Sequence, residues 1–139
     1  MATDRQAVLV RLEDTDLMPA SEADDVRGHS VVDRVGQEIG DVEDLVIDPE
    51  ERRVRFLEVG TGGFLGIGQD KQLIPVDAVE KVEDGVVHVN RDRTEVAEAP
   101  AYDPSLIQEP SYYEDIYSHY GYSPFWVPGY IYPPFPYNR

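Results

Sequence analysis

Cysteine is absent from the chain, which removes disulfide frameworks, thiolate metal sites and cysteine nucleophiles together. Positive charge is scarce: 12 Lys+Arg stand against 28 Asp+Glu, a formal net charge of -16 at pH 7. The acidic excess runs through every third of the sequence. Phosphate backbones and anionic lipid heads are bound by Lys and Arg, so direct nucleic-acid or membrane-surface binding is disfavoured. Long hydrophobic runs are also missing. No stretch approaches the ~18 apolar residues of a membrane-spanning helix, and MATDRQAVLV lacks a basic start and a cleavage site after an apolar stretch. The expectation is a soluble, cytoplasmic chain. Its 139 residues leave room for one domain plus a tail.

Three segments follow from composition. Residues 1–28 hold the alternating run AVLVRL, suited to a strand with one buried face, and then an acidic loop. Residues 29–96 carry most strand signals: SVVDRV, IGDVEDLVID, VRFLEVG, QLIPVDAV and VEKVED-G-VVHVN. The turn cluster at 48–53 predicts a hairpin between Val42–Asp48 and Val54–Val59, because Pro fixes φ and Asp bonds to nearby backbone. Asp84-Gly85 supplies the positive φ angles of a two-residue hairpin. Five or six short strands with almost no helix predict a mainly β fold, a small antiparallel β-barrel.

Residues 97–139 change character. Eight of the nine tyrosines fall between Tyr112 and Tyr137, beside Phe125, Trp126 and Phe135 and interleaved with prolines. A short C-terminal helix is expected from Ser111 and Glu114 as a capping box, with Tyr113, Ile116, Tyr117 and Tyr120 on one face and Gly121 as terminator. Beyond Ser123 the prolines enforce an extended Tyr/Pro-rich tail.

The run GTGGFLGIG, Gly60 to Gly68, raises the question of phosphate binding. A dinucleotide fingerprint needs glycine where Leu65 stands, and a P-loop needs Lys and Ser/Thr where Gln69 and Asp70 stand. QLIPVDAV, which follows, reads as strand rather than the required helix. The glycines therefore read as a wide bend, with Phe64, Leu65 and Ile67 as candidate contact residues.

These residues carry a family resemblance. GGFLGIGQDKQLIPVDAV resembles the glycine-rich turn and Pro-Val-Asp-Ala strand of PRC-barrel proteins, and VVDRVGQEIGDVEDLVIDPEERRVRFLEVG is similar to that family's opening strand pair. The likeness covers about Asp25 to Val96, and the tail resembles the ending of free-standing bacterial members. It implies a PRC-type barrel like those of the photosynthetic reaction-centre H subunit and the C-terminal half of ribosome maturation factors. It brings no shared catalytic residues.

Other chemistry finds little footing. His29, His88 and His119 are isolated, and no serine sits in a nucleophile elbow. The acidic run Asp41, Glu43, Asp44, Asp48, Glu50 and Glu51 lacks EF-hand order and reads as a solvated face. No catalytic residue, cofactor or metal site is assigned, although metal-dependent hydrolysis stays open to test. The expected role is a non-enzymatic protein-interaction module, homodimeric, contacting its partner through Phe64, Leu65, Ile67, Tyr113, Tyr117, Tyr120, Phe125, Trp126, Tyr130 and Tyr132. Two alternatives follow from the resemblance: assistance to ribosome maturation through a basic ribosomal protein, and a reaction-centre-like role in electron or proton transfer. The aromatic tail packs either on its own barrel or on another chain, and domain swapping satisfies both descriptions.

Overall fold

A computed structural model describes residues 9–15, 18–19, 25–61, 71–100, 102–106, 109–133 and 135. Seven strands are present among them: β1 (Val10–Arg11), β2 (Ser30–Val32), β3 (Glu38–Ile47), β4 (Val54–Gly60), β5 (Lys71–Pro75), β6 (Val79–Glu83) and β7 (Val86–Val89). Two α-helices follow, α1 (Arg93–Ala97) and α2 (Pro110–Tyr120). The strands form one sheet in the order β5-β4-β3-β2-β7-β6, with β1 added against β3, and the sheet curls into a half-barrel.

The expected hairpins are present, and their turn residues account for them. Asp48 Oδ1 accepts the backbone N–H groups of Glu50 and Glu51 at 2.9 and 3.1 Å, folding the chain back between β3 and β4. Asp84 and Gly85 both adopt positive φ, 55° and 78°, between β6 and β7. One pairing departs from the antiparallel expectation. β2 runs parallel to β7, with Val31 opposite Val87; the two are neighbours inside the sheet, and the β6–β7 hairpin reverses the chain so that β7 enters beside β2 in the same direction. Alternation within a strand carries no information about the direction of a distant partner.

β3 is long enough to serve two neighbours along one edge: Glu38 to Asp41 face β2, and Val46 and Ile47 face β1. Its other edge pairs with β4 through two bulges, which leave Glu43 and Arg55 as extra residues in the ladder. A bulge bends the strand and re-aims side chains. Gly40 and Gly60 meet where β3 and β4 run closest; a Cβ on Gly40 would strike the Gly60 carbonyl.

The core includes Leu45, Leu57, Val59, Ile74 and Val87, but β4 is buried along nearly its whole length, on both faces. The second face is covered by α2. Phe56 lies 5.1 Å from Tyr113 and 4.9 Å from Tyr117, centroid to centroid. α2 begins one residue before the expected capping box. Pro110 takes the first helical turn and Glu109 precedes it with no side-chain cap; proline suits this place because it arrives with helical φ and its missing N–H is one of the donors a helix start leaves unpaired. The C-terminus follows the expectation: Gly121 has φ 83°, its N–H bonds to the Ser118 carbonyl, and Tyr122 N–H reaches back to Tyr117. α1 was not anticipated. Asp33 holds its start, with Oδ2 accepting Arg93 N–H at 3.0 Å while Oδ1 accepts Val35 and Gln37 N–H.

Candidate functional site

Two features stand out by chemistry, a strap of aromatic residues laid over the sheet and a set of buried charges beneath β1. The strap begins at Gly121. Trp126 meets Tyr117 edge-on at 6.3 Å and Phe125 at 5.1 Å, continuing the ring stack from α2. Arg55, re-aimed by the bulge in β4, is gripped by Asp48 and Glu51 at 2.9 and 3.0 Å and lies 4.2 Å from the Phe125 centroid. Arg53 lies 4.4 Å from the Tyr132 centroid, and the Tyr132 hydroxyl donates to the Val54 carbonyl at 3.0 Å. Such a contact contributes about 0.5–1 kcal/mol when exposed, as at Arg53, and about 2 kcal/mol when desolvated, as at Arg55. Tyr130 donates to Asp77 Oδ2 at 2.9 Å. Burial raises the Asp77 carboxyl above its ordinary range, and the Tyr130 hydrogen bond opposes that shift. Arg91 ties the junction, donating to the Tyr120 carbonyl at the helix end and lying 5.1 Å from the Tyr122 ring.

The proposed contact residues thus divide. Tyr113, Tyr117 and Tyr120 are buried, the first two against Phe56 of β4. Phe125, Trp126 and Tyr132 are partly buried against the core, and Tyr130 turns its hydroxyl inward. Phe64, Leu65 and Ile67 lie outside the described residues. The outward side of the strap instead presents Val127, Pro128, Gly129 and Ile131, with Ile131 84% exposed and Val127 36%. No acidic residue occurs from Ile116 to Arg139, so this ridge interrupts an otherwise acidic chain.

The second feature corrects the reading of the acidic run as a solvated face. Asp44 and Asp48 are buried, whereas Asp41, Glu43, Glu50 and Glu51 stay exposed. The bulge at Glu43 turns Asp44 toward Glu58, its cross-strand neighbour on β4. Arg11 lies between them, with Nε 3.0 Å from Glu58 Oε1 and 3.5 Å from Asp44 Oδ2. Lys71 approaches from β5, 3.1 Å from Glu58 and 3.2 Å from Glu43. Burial raises the Asp44 carboxyl, and the nearby Glu13 and Glu58 charges add to it against two backbone N–H donors. The sequence offered one signal for this set, a carboxylate inside an apolar strand: Glu58 interrupts FLEV.

His119 Nε2 lies 2.7 Å from the Glu95 carbonyl and links α2 to α1. Among the described residues no group of three or more His, Asp and Glu is arranged to hold a metal ion. None of the described helices is long and apolar enough to cross a membrane.

A curled half-barrel with a bulged central hairpin and a helix over its outer face defines a small barrel module. The PRC-barrel domain model matches residues 18–96, more than half of the chain, and the chain belongs to that family. The matched segment excludes β1, α2 and the strap. A comparison with curated proteins finds no match.

Proposed function

We propose that the chain is a non-enzymatic PRC-barrel interaction module that binds a protein partner through the outer ridge of its strap. The observation carrying this reading is the combination at residues 127–131: the strap is clamped from beneath by Arg53, Arg55 and Asp77, yet directs Val127 and Ile131 outward. A rigid apolar ridge loses little entropy on binding, which favours recognition. Its freedom from acidic residues also removes the repulsion that the rest of the chain would impose on a second copy or on another acidic protein. The non-enzymatic reading is supported by the buried carboxylates, since Asp44 and Glu58 are engaged by Arg11 and Glu58 also by Lys71.

The test is affinity capture from host lysate with the full chain and with Val127→Asp/Ile131→Asp, accompanied by sedimentation analysis of both. A stoichiometric partner, or a dimer, present with the wild type and absent with the double variant supports the ridge. Equal recovery with both chains, each folded, would sink it.

A further inference from the structure

The buried carboxylates hold a guanidinium supplied by a strand of only two residues. Arg11 meets Glu58 side-on, with Nε 3.0 Å from Oε1 and Nη2 3.4 Å from Oε2, the forked geometry that distinguishes arginine from lysine. The side chains of Asp44 and Glu58 are each 1% exposed, against 19% for Arg11. Among the described residues Asp44 Oδ2 has no hydrogen-bond donor, although it lies 3.5 Å from Arg11 Nε. Leu9 and Leu12 are buried on either side of Arg11. The backbone of β1 adds only to Val46 and Ile47 on the β3 edge, and β1 lies outside the family segment 18–96. The strand edge at Val46–Ile47 and the acidic slot of Asp44 and Glu58 are therefore both occupied in cis by residues 9–12, from outside the barrel segment.

We propose that this edge and the Asp44–Glu58 slot form a docking site for an extended segment of a partner protein that carries an arginine flanked by apolar residues, with Leu9–Leu12 occupying the site in cis. The proposal extends the interaction-module reading to a second surface and rests on it. Strand addition supplies the main-chain hydrogen bonds, and the slot supplies the side-chain choice. The net charge of -16 favours approach of a basic segment. Lysine fits less well, because one ammonium cannot satisfy both oxygens of Glu58 along the fork. The tethered β1 competes at the effective concentration of a short linker, on the order of millimolar, so a partner engages measurably once Arg11 is removed or displaced.

The experiment uses full-length Arg11→Ala and two small probes, ethylguanidinium and ethylammonium, each at 10 mM. Ethylguanidinium is expected to raise the Tm of Arg11→Ala by about 3 °C, as ligand binding to the folded state requires, and to leave the wild type unchanged. Ethylammonium should shift neither. A labelled peptide with the sequence AVLVRLE should bind Arg11→Ala at least ~10-fold more tightly than the wild type, and its citrulline counterpart at least ~10-fold more weakly. If Arg11→Ala does not fold, Arg11→Gln replaces it, and recovery of its circular-dichroism signal on adding ethylguanidinium is the readout. Failure of both probe and peptide overturns the proposal, while the ridge variants, which touch neither β1 nor Glu58, report separately on the interaction-module reading. A peptide-free dimer that the arginine peptide dissociates would reassign the slot to strand exchange between copies.

Discussion

Truncating Tyr117 tests whether α2 belongs to the folded core. Its side chain is fully buried, 4.9 Å from the Phe56 ring and 6.3 Å from Trp126. A buried aromatic removes about 150–250 Å² from water, equivalent at ~25 cal/mol per Å² to about 4–6 kcal/mol of transfer free energy. Measured costs of emptying such a site run about 3–5 kcal/mol. Tyr117→Ala is therefore expected to destabilise the protein by about 3–5 kcal/mol. Tyr117→Phe separates ring from hydroxyl: the hydroxyl has no hydrogen-bond partner among the described residues, and burial drives its phenol well above the ordinary range. Removing it is expected to cost nothing and to gain up to about 1 kcal/mol. Urea unfolding followed by circular dichroism and by Trp126 fluorescence gives both values. A cost below about 1 kcal/mol for Tyr117→Ala would refute the packing of α2 on its own sheet, and a Tyr117→Phe cost above about 1 kcal/mol would mean that the hydroxyl has a partner.

Three further outcomes can be checked by the same unfolding measurements. Gly40→Ala should be far more damaging than Gly60→Ala, since the first drives a Cβ into the fixed Gly60 carbonyl and the second into the flexible Glu43 side chain; equal effects would show that the two strands can part. Asp33→Ala should cost about 1–3 kcal/mol, because three backbone N–H groups lose a buried acceptor. Burial pushes the Asp33 carboxyl up, but those three donors and the Arg93 charge hold it below its ordinary value, so its contribution is present above the unfolded pKa and fades as pH falls through the folded one. An acid-unfolding curve for Asp33→Ala parallel to the wild type would contradict this. Asp77 has the opposite sign: its raised pKa means that protonation favours the folded state, so wild-type stability gains from this group as pH drops from above the folded pKa to below the unfolded value. Asp77→Asn should remove that gain while leaving stability at neutral pH equal or higher, and a large loss at neutral pH would refute the assignment.

The strands and hairpins were legible because their signals are local. Asp84-Gly85 dictates its turn, and Tyr113, Ile116, Tyr117 and Tyr120 mark one face of α2 whatever they pack against. The bulges at Glu43 and Arg55 depend on the register of a partner strand, so the burial of Asp44, Asp48 and Glu58 was hidden in what reads as an ordinary acidic surface. α1 is five residues long with Val96 as its only buried residue, too little periodicity to announce a helix, and its start is fixed by Asp33, 60 positions away. The direction of β2 against β7 is likewise a property of topology. The tail's composition identified aromatic packing but not its geometry. The strap's rings are placed by Arg53, Arg55 and Asp77, which precede their own partners Tyr132, Phe125 and Tyr130 by 53 positions or more.

The central claim is that the strap's outer ridge meets a protein partner, and a photo-crosslinking residue placed at Ile131 in the native host tests it most directly. Val35, 70% exposed in the β2–β3 turn, is the control position. The account predicts one dominant adduct from position 131, with another protein or with a second copy of the chain, and none of that mass from position 35. Diffuse labelling of the same intensity at both positions would contradict it.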